Sequence, residues 1–155
     1  MRRSRIYLDT SVLGGCFDLE FEQWSTALVD DFRSDRLQPV LSDLLAAELQ
    51  EAPQRVRDLY AELRTRHQPI VLSIEAIELA DRYAAHGILP PKFRNDMLHI
   101  AIATVANADV VASWNFRHIV RFDKIQLFNA VNIESGYKPI AIHSPREIAS
   151  HDTET

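Results

Sequence analysis

Short apolar runs and longer stretches with an apolar residue every third or fourth position take turns along the chain. The first run, Ile6 to Leu8, is apolar and partly β-branched, which predicts a strand buried inside a sheet. Gln38 to Leu41, Asp109 to Ser113 and Pro139 to Ile142 read as further strands, with Ile70 to Leu72 as a brief extended segment. Trp24, Ala27, Leu28 and Phe32 fall at helical spacing and predict an amphipathic helix to about Arg36. Ser42 is a good N-cap for a helix from Asp43 to about Glu51, with Asp43 favoured in its first turn. Pro53 opens a helix to about His67, whose Val56, Leu59, Tyr60 and Leu63 share one face. Ser73 caps another to His86, closed by Gly87. The most apolar stretch follows Asn95-Asp96 and reads Met-Leu-His-Ile-Ala-Ile-Ala-Thr-Val-Ala, with only His99 and Thr104 polar. A helix apolar on all sides is buried on most of them. Asp123 to Glu134 reads as helix ended by Gly136, and Pro145 to Ala149 as a short last segment. Residues 16–23 and Ile88 to Arg94, which holds Pro90-Pro91, read as loops, and Gly14-Gly15 as a sharp turn.

This alternation predicts an α/β fold, three layers α/β/α around a central, mainly parallel sheet of four to five strands. With 155 residues, 46% hydrophobic and 25% charged, the chain is expected to form one domain over residues 1–149, with 150–155 as a polar, mobile tail. No apolar run reaches about 18 residues, so no membrane span is expected. Met-Arg-Arg-Ser leads directly into the first strand, and a cytoplasmic location is the expectation. Cys16 is the single cysteine, which excludes an internal disulfide and reads as a small hydrophobe. Seventeen Lys and Arg against twenty-two Asp and Glu give a net charge of −5, unlike a basic nucleic-acid binder. Divalent cations gathered by several carboxylates would offset most of that charge, which leaves a phosphate chain possible as substrate.

Three acids stand where burial should discourage them. Asp9 ends the first strand, where open α/β folds place their ligands. Glu48 shares a helix face with Leu44 and Leu45, and Asp96 enters the most apolar helix. An ionised carboxylate in such a place is costly unless paired, hydrogen-bonded or bound to a metal. The predicted topology brings all three near the C-terminal edge of the sheet, together with Asn115. Separate capping and salt-bridge roles are the competing reading. Hard oxygen ligands without a thiolate pair select Mg²⁺ or Mn²⁺, and such a cluster suits phosphodiester hydrolysis. His99 reads either as a core histidine or as a substrate contact. Lys92, Arg94, Arg117, His118 and Arg121 read as phosphate contacts or as solvated surface charges, and Trp114 as packing or as a base-stacking platform.

Tyr-Leu-Asp9-Thr-Ser, Ser42-Asp-Leu-Leu-Ala-Ala-Glu48, Asn95-Asp96-Met-Leu-His-Ile-Ala-Ile-Ala and Ala108-Asp-Val-Val-Ala-Ser-Trp-Asn115-Phe-Arg-His together resemble the successive motifs of the PIN-domain family. The likeness is to its toxin-like (VapC-type) branch and spans residues 5 to about 145. It implies a metal-dependent ribonuclease acting on RNA, held inactive by a partner antitoxin, and often a homodimer. Carried over by position, Asp9, Glu48 and Asp96 match the family's metal-binding acids, and Asn115 stands where many members have Asp. Thr10 or Ser11 matches the hydroxyl that supports the first acid. A groove between the helices at Trp24 to Arg36 and Gln54 to His67 is a candidate antitoxin dock. Asn115 leaves open a second reading, a catalytically weak RNA- or protein-binding module on the same fold. A phosphatase or phospho-acceptor domain fits less well, since residue 11 is Ser and no glycine-rich phosphate loop is present.

Overall fold

The computed structural model describes residues 2–153, with side chains through Ala149. Its sheet has four strands, β1 (Arg5–Leu8), β2 (Gln38–Val40), β3 (Val110–Ala112) and β4 (Ala141–His143), in the order β2-β1-β3-β4. All three pairings are parallel. Eight helices surround it among the described residues: α1 (Thr10–Gly15), α2 (Glu22–Arg33), α3 (Asp43–Glu48), α4 (Gln54–Arg64), α5 (Ile74–Ala85), α6 (Arg94–Val105), α7 (Phe122–Glu134) and α8 (Pro145–Thr153).

The pleat sorts the strand residues between two cores. Ile6 and Leu8 point to one face with Ala112 and join Leu13, Leu28, Phe32, Leu45, Leu59 and Ile148. Tyr7, Val40, Val111 and Ile142 share one register row and point to the other, against Leu79, Tyr83, Ile100 and Phe128. The sheet is therefore covered on both faces, as its apolar strands require. Helix α6 is buried over Met97–Thr104 without interruption. Its Thr104 hydroxyl donates back to the Ile100 carbonyl at 2.8 Å. On the same side Tyr83 donates its hydroxyl to Asn132 Oδ1, so the polar groups in this core have partners.

Several boundaries differ from those the sequence predicts. Ile70 makes only an isolated bridge to Ser42, too little for a fifth strand. The helix expected to reach Glu51 stops at Glu48 and tightens into a 3₁₀ turn over Leu49–Glu51. Helix α8 carries the backbone to Thr153, past the tail's expected start at Ser150, while side chains from 150 onward and residues 154 and 155 lie outside the described residues.

The Gly14-Gly15 pair is not a turn but the end of α1, capped at its start by the Asp9 side chain. The two glycines serve different ends. A Cβ on Gly15 would lie 2.5 Å from Ser25 Oγ and 2.7 Å from Trp114 Nε1, whereas one on Gly14 would meet nothing within 4 Å. Gly15→Ala is thus expected to lower unfolding stability by about 1–3 kcal/mol through overpacking. Gly14→Ala is expected to leave it unchanged or raise it by up to about 1 kcal/mol, because a helical alanine loses less backbone entropy. Urea titrations of both variants check the pair, and equal effects would contradict the packing described.

Candidate active site

The C-terminal ends of β1 and β3 are tied together by polar side chains. Asp9, 5% exposed, follows β1. Its Oδ1 accepts from the Ser11 amide at 3.0 Å and the Ser11 hydroxyl at 2.7 Å, and its Oδ2 accepts from the Ser113 hydroxyl at 2.5 Å. Ser11 Oγ in turn accepts from the Trp114 amide at 2.9 Å, and Ser113 Oγ from the Asn115 amide at 2.9 Å. Asp9 therefore caps α1 and also anchors the loop after β3. Burial pushes its carboxyl above the ordinary value, partly offset by the nearby His99 and then by the Ser113 and Ser11 donors.

Glu48 arrives from the end of α3. Its Oε1 accepts from Thr10 Oγ1 at 2.6 Å and lies 2.5 Å from His99 Nε2. Burial alone would raise this carboxyl, but those hydrogen bonds outweigh it and hold Glu48 below the ordinary value. Asp96, in the first turn of α6, lies 3.1 Å from His118 Nδ1 through its Oδ2. Burial raises its carboxyl against the pull of His118, and the nearby charge of Glu48 raises it further.

The remaining predicted residues divide. Ser11 is the hydroxyl that supports Asp9, whereas Thr10 supports Glu48. Asn115 Oδ1 accepts the backbone N–H groups of Arg117 and His118, at 3.2 and 3.0 Å, so it closes the turn after β3. His118 also packs its ring on Phe93, centroids 3.8 Å apart. Arg94 turns to α5 and pairs with Asp81 at 2.8 Å, Arg121 pairs with Asp123, and Lys92 lies over the Phe93 ring. Arg117 is exposed at the rim. Trp114 is packing: it is buried, stacks on Phe21 at 4.1 Å and donates its indole N–H to Ser25. His99, 2% exposed, is closed off from any large substrate. The sequence reading missed the roles of Tyr7 and Ser113, and that of Ser42 beyond its helix cap. The available signal was polar atoms at positions where the periodicity demands burial.

Among the described residues no three His, Cys, Asp or Glu side chains are spaced to hold one metal ion together. The chemistry of the donor set nonetheless fits a hard divalent cation. Asp9 ends β1, Glu48 accepts from Thr10 beside it, and Asp96 lies near enough to feel the charge of Glu48; burial disfavours the ionised forms of Asp9 and Asp96. Positive charge is what would restore those forms.

A scan against models of known families matches none, and a search of curated proteins finds no relative. Among solved structures, a chain from the crystal structure of VapBC2 from Rickettsia felis, bound to a DNA fragment from their promoter, superposes with a TM-score of 0.61. The match covers 90% of this chain and 98% of that one at 13% identity. The fold is PIN-like. At such low identity the match speaks for the PIN-like architecture, and the chemistry rests on the residues above.

Asp9 gives this PIN-like chain a pH signature. Its carboxyl holds a proton more tightly in the folded than in the unfolded chain. The stability tied to that proton is full below the unfolded value, about pH 4, and is lost as pH rises through the folded value. Asp9→Asn, which has no such proton to lose, is expected to be more stable than wild type at pH 7 in EDTA, the gap closing toward pH 4. Urea melts across that range decide it; a wild type more stable at pH 7 would contradict the assignment.

Proposed function

We propose that this chain is a Mg²⁺- or Mn²⁺-dependent endoribonuclease that hydrolyses RNA phosphodiester bonds, and the toxin component of a toxin-antitoxin pair. What supports the proposal is the placement of Asp9 at the end of a central parallel strand, with Glu48 bonded to the adjacent Thr10 and Asp96 near Glu48, on a fold shared with a VapBC2 chain. Asp9, Asp96 and Glu48 would hold the cation, with Asn115 beside them. When bound, a divalent ion there supplies a more acidic water and positive charge for the scissile phosphate. The protein's own part is to hold the acids still. Ser11 and Ser113 fix Asp9, Thr10 and His99 fix Glu48, and His118 fixes Asp96. Arg117, exposed beside Asn115, would meet the RNA backbone, whereas the His118 ring is engaged with Asp96 and Phe93.

The antitoxin would be a protein partner, and the groove between α2 and α4 is the surface suggested for it. Arg33 of α2 bridges that groove to Glu62 of α4 with two hydrogen bonds of 2.6 and 2.8 Å. A small cavity of about 170 Å³ lies beside it among Cys16, Phe17, Thr26, Val29, Arg33 and Leu59. A homodimer and a cytoplasmic location belong to the same proposal; among the described residues no helix is long and apolar enough to cross a membrane.

One observation favours a second reading, a binding module with little catalysis: the Asn115 carbonyl oxygen is already committed to its own turn. The two readings separate on one assay. Purified chain is expected to cleave single-stranded or structured RNA in Mg²⁺ or Mn²⁺, to stop in EDTA, and to lose at least about 100-fold in rate with Asp96→Asn, more than a change outside the ligand set costs. Asn115→Asp is expected to raise the rate if the site is short of negative charge. RNA binding without metal-dependent cleavage would favour the second reading, and cleavage that survives both EDTA and Asp96→Asn would overturn the first.

A further inference from the structure

A file of hydrogen bonds runs from inside the protein to the site: Ser42, Tyr7, His99, Glu48. Ser42 Oγ caps α3 by accepting the Leu45 amide at 3.1 Å and lies 2.9 Å from the Tyr7 hydroxyl. The Tyr7 hydroxyl lies 2.6 Å from His99 Nδ1, and His99 Nε2 lies 2.5 Å from Glu48 Oε1. Tyr7 and Ser42 are fully buried and His99 nearly so. Each of their protons therefore needs a partner within the protein.

The direction of the file follows from counting those protons. Among the hydrogen bonds of the described residues, the Ser42 hydroxyl has one acceptor, Tyr7 Oη, since its other partner is an N–H. If Ser42 donates to Tyr7, the Tyr7 proton goes to His99 Nδ1. That nitrogen is then bare, and the ring proton sits on Nε2, aimed at Glu48. Running the file the other way strands the Ser42 proton in a buried position, the costlier arrangement. Burial also keeps the Tyr7 phenol protonated, its acidity pushed far below normal, so it has a proton to give.

We propose that Tyr7 fixes His99 as the Nε2–H tautomer, and that His99 with Thr10 thereby clamps one oxygen of Glu48 and leaves the other for the site. The other oxygen, Oε2, accepts only a long hydrogen bond of 3.5 Å from Asn95 Nδ2, on the same turn of α6 as Asp96. His99 and Tyr7 are positioning residues that act through Glu48. The hydrogen-bond direction stands by itself; its use in presenting a ligand rests on the function proposed above.

The test uses the full chain labelled with ¹⁵N at histidine, in EDTA. Two-bond nitrogen-proton correlation is expected to find His99 protonated on Nε2 alone, and Tyr7→Phe, in which Glu48 still accepts the Nε2 proton, to move the Nδ1 resonance toward that of a bare nitrogen without a donor, in a chain that melts cooperatively at a lower midpoint because Ser42 and Nδ1 lose their partner. A wild-type proton on Nδ1, alone or together with Nε2, overturns the proposal. The second arm measures Mn²⁺ affinity by its paramagnetic resonance. His99→Gln keeps a donor where Nε2 sits and is expected to stay within about threefold of wild type, whereas His99→Asn, with its amide where Nδ1 sits, is expected to lose about 10–100-fold. Equal affinities in the two variants overturn the positioning role. A wild type with the Nε2–H tautomer but no Mn²⁺ binding would instead overturn the metal-dependent reading and leave the hydrogen-bond file intact.

Discussion

The structure depends on keeping one carboxylate, Asp9, at the end of a central strand where water scarcely reaches it. The chain meets that cost with donors from two places far apart in sequence, Ser11 in the next turn and Ser113 beyond β3. Those two hydroxyls also accept backbone amides from Trp114 and Asn115. The same bonds that satisfy Asp9 thus hold the ends of β1 and β3 side by side. With that edge fixed, α3 and α6 bring Glu48 and Asp96 to it, each with a histidine alongside.

The three acids are held by hydroxyls and histidine rings. No Lys or Arg is paired with them in the hydrogen bonds and ion pairs of the described residues. The nearby cations turn elsewhere: Arg94 to Asp81 and Arg121 to Asp123. A site supported this way keeps its negative charge free of any permanently charged Lys or Arg partner among the described residues. Burial then works against the charge, which is why Asp9 and Asp96 hold their protons more tightly than usual. A mobile divalent ion is the partner that suits this balance.

Much of this was legible in the sequence where local pattern and tertiary demand agree. The buried α6 showed as an unbroken apolar stretch, the N-caps Ser42 and Ser73 marked their helices, and the alternation of runs gave the parallel sheet. Legibility failed where the deciding contact is distant. Gly14-Gly15 looks like a turn, yet it lies in the last turn of α1, and Gly15 is glycine because Trp114 and Ser25 leave no room for a side chain there. Thr10 and Ser11 look interchangeable, but α3 places Glu48 within reach of the first and β3 places Ser113 beside the carboxylate held by the second. Asn115 reads as a fourth ligand by position, whereas its carbonyl oxygen closes the turn that carries His118 to Asp96. Tyr7 reads as one more strand residue until its hydroxyl is seen to end on His99.

The proposed function requires that Asp9, Glu48 and Asp96 form one cation site at the C-terminal edge of the sheet. Crystals of the chain grown with Mn²⁺ and measured for anomalous scattering test it most directly. A peak bounded by oxygens of Asp9 and Asp96, with Glu48 bound directly or through water, is the predicted result. Mn²⁺ absent from that edge at millimolar concentration, with the three side chains still held as described, would contradict it.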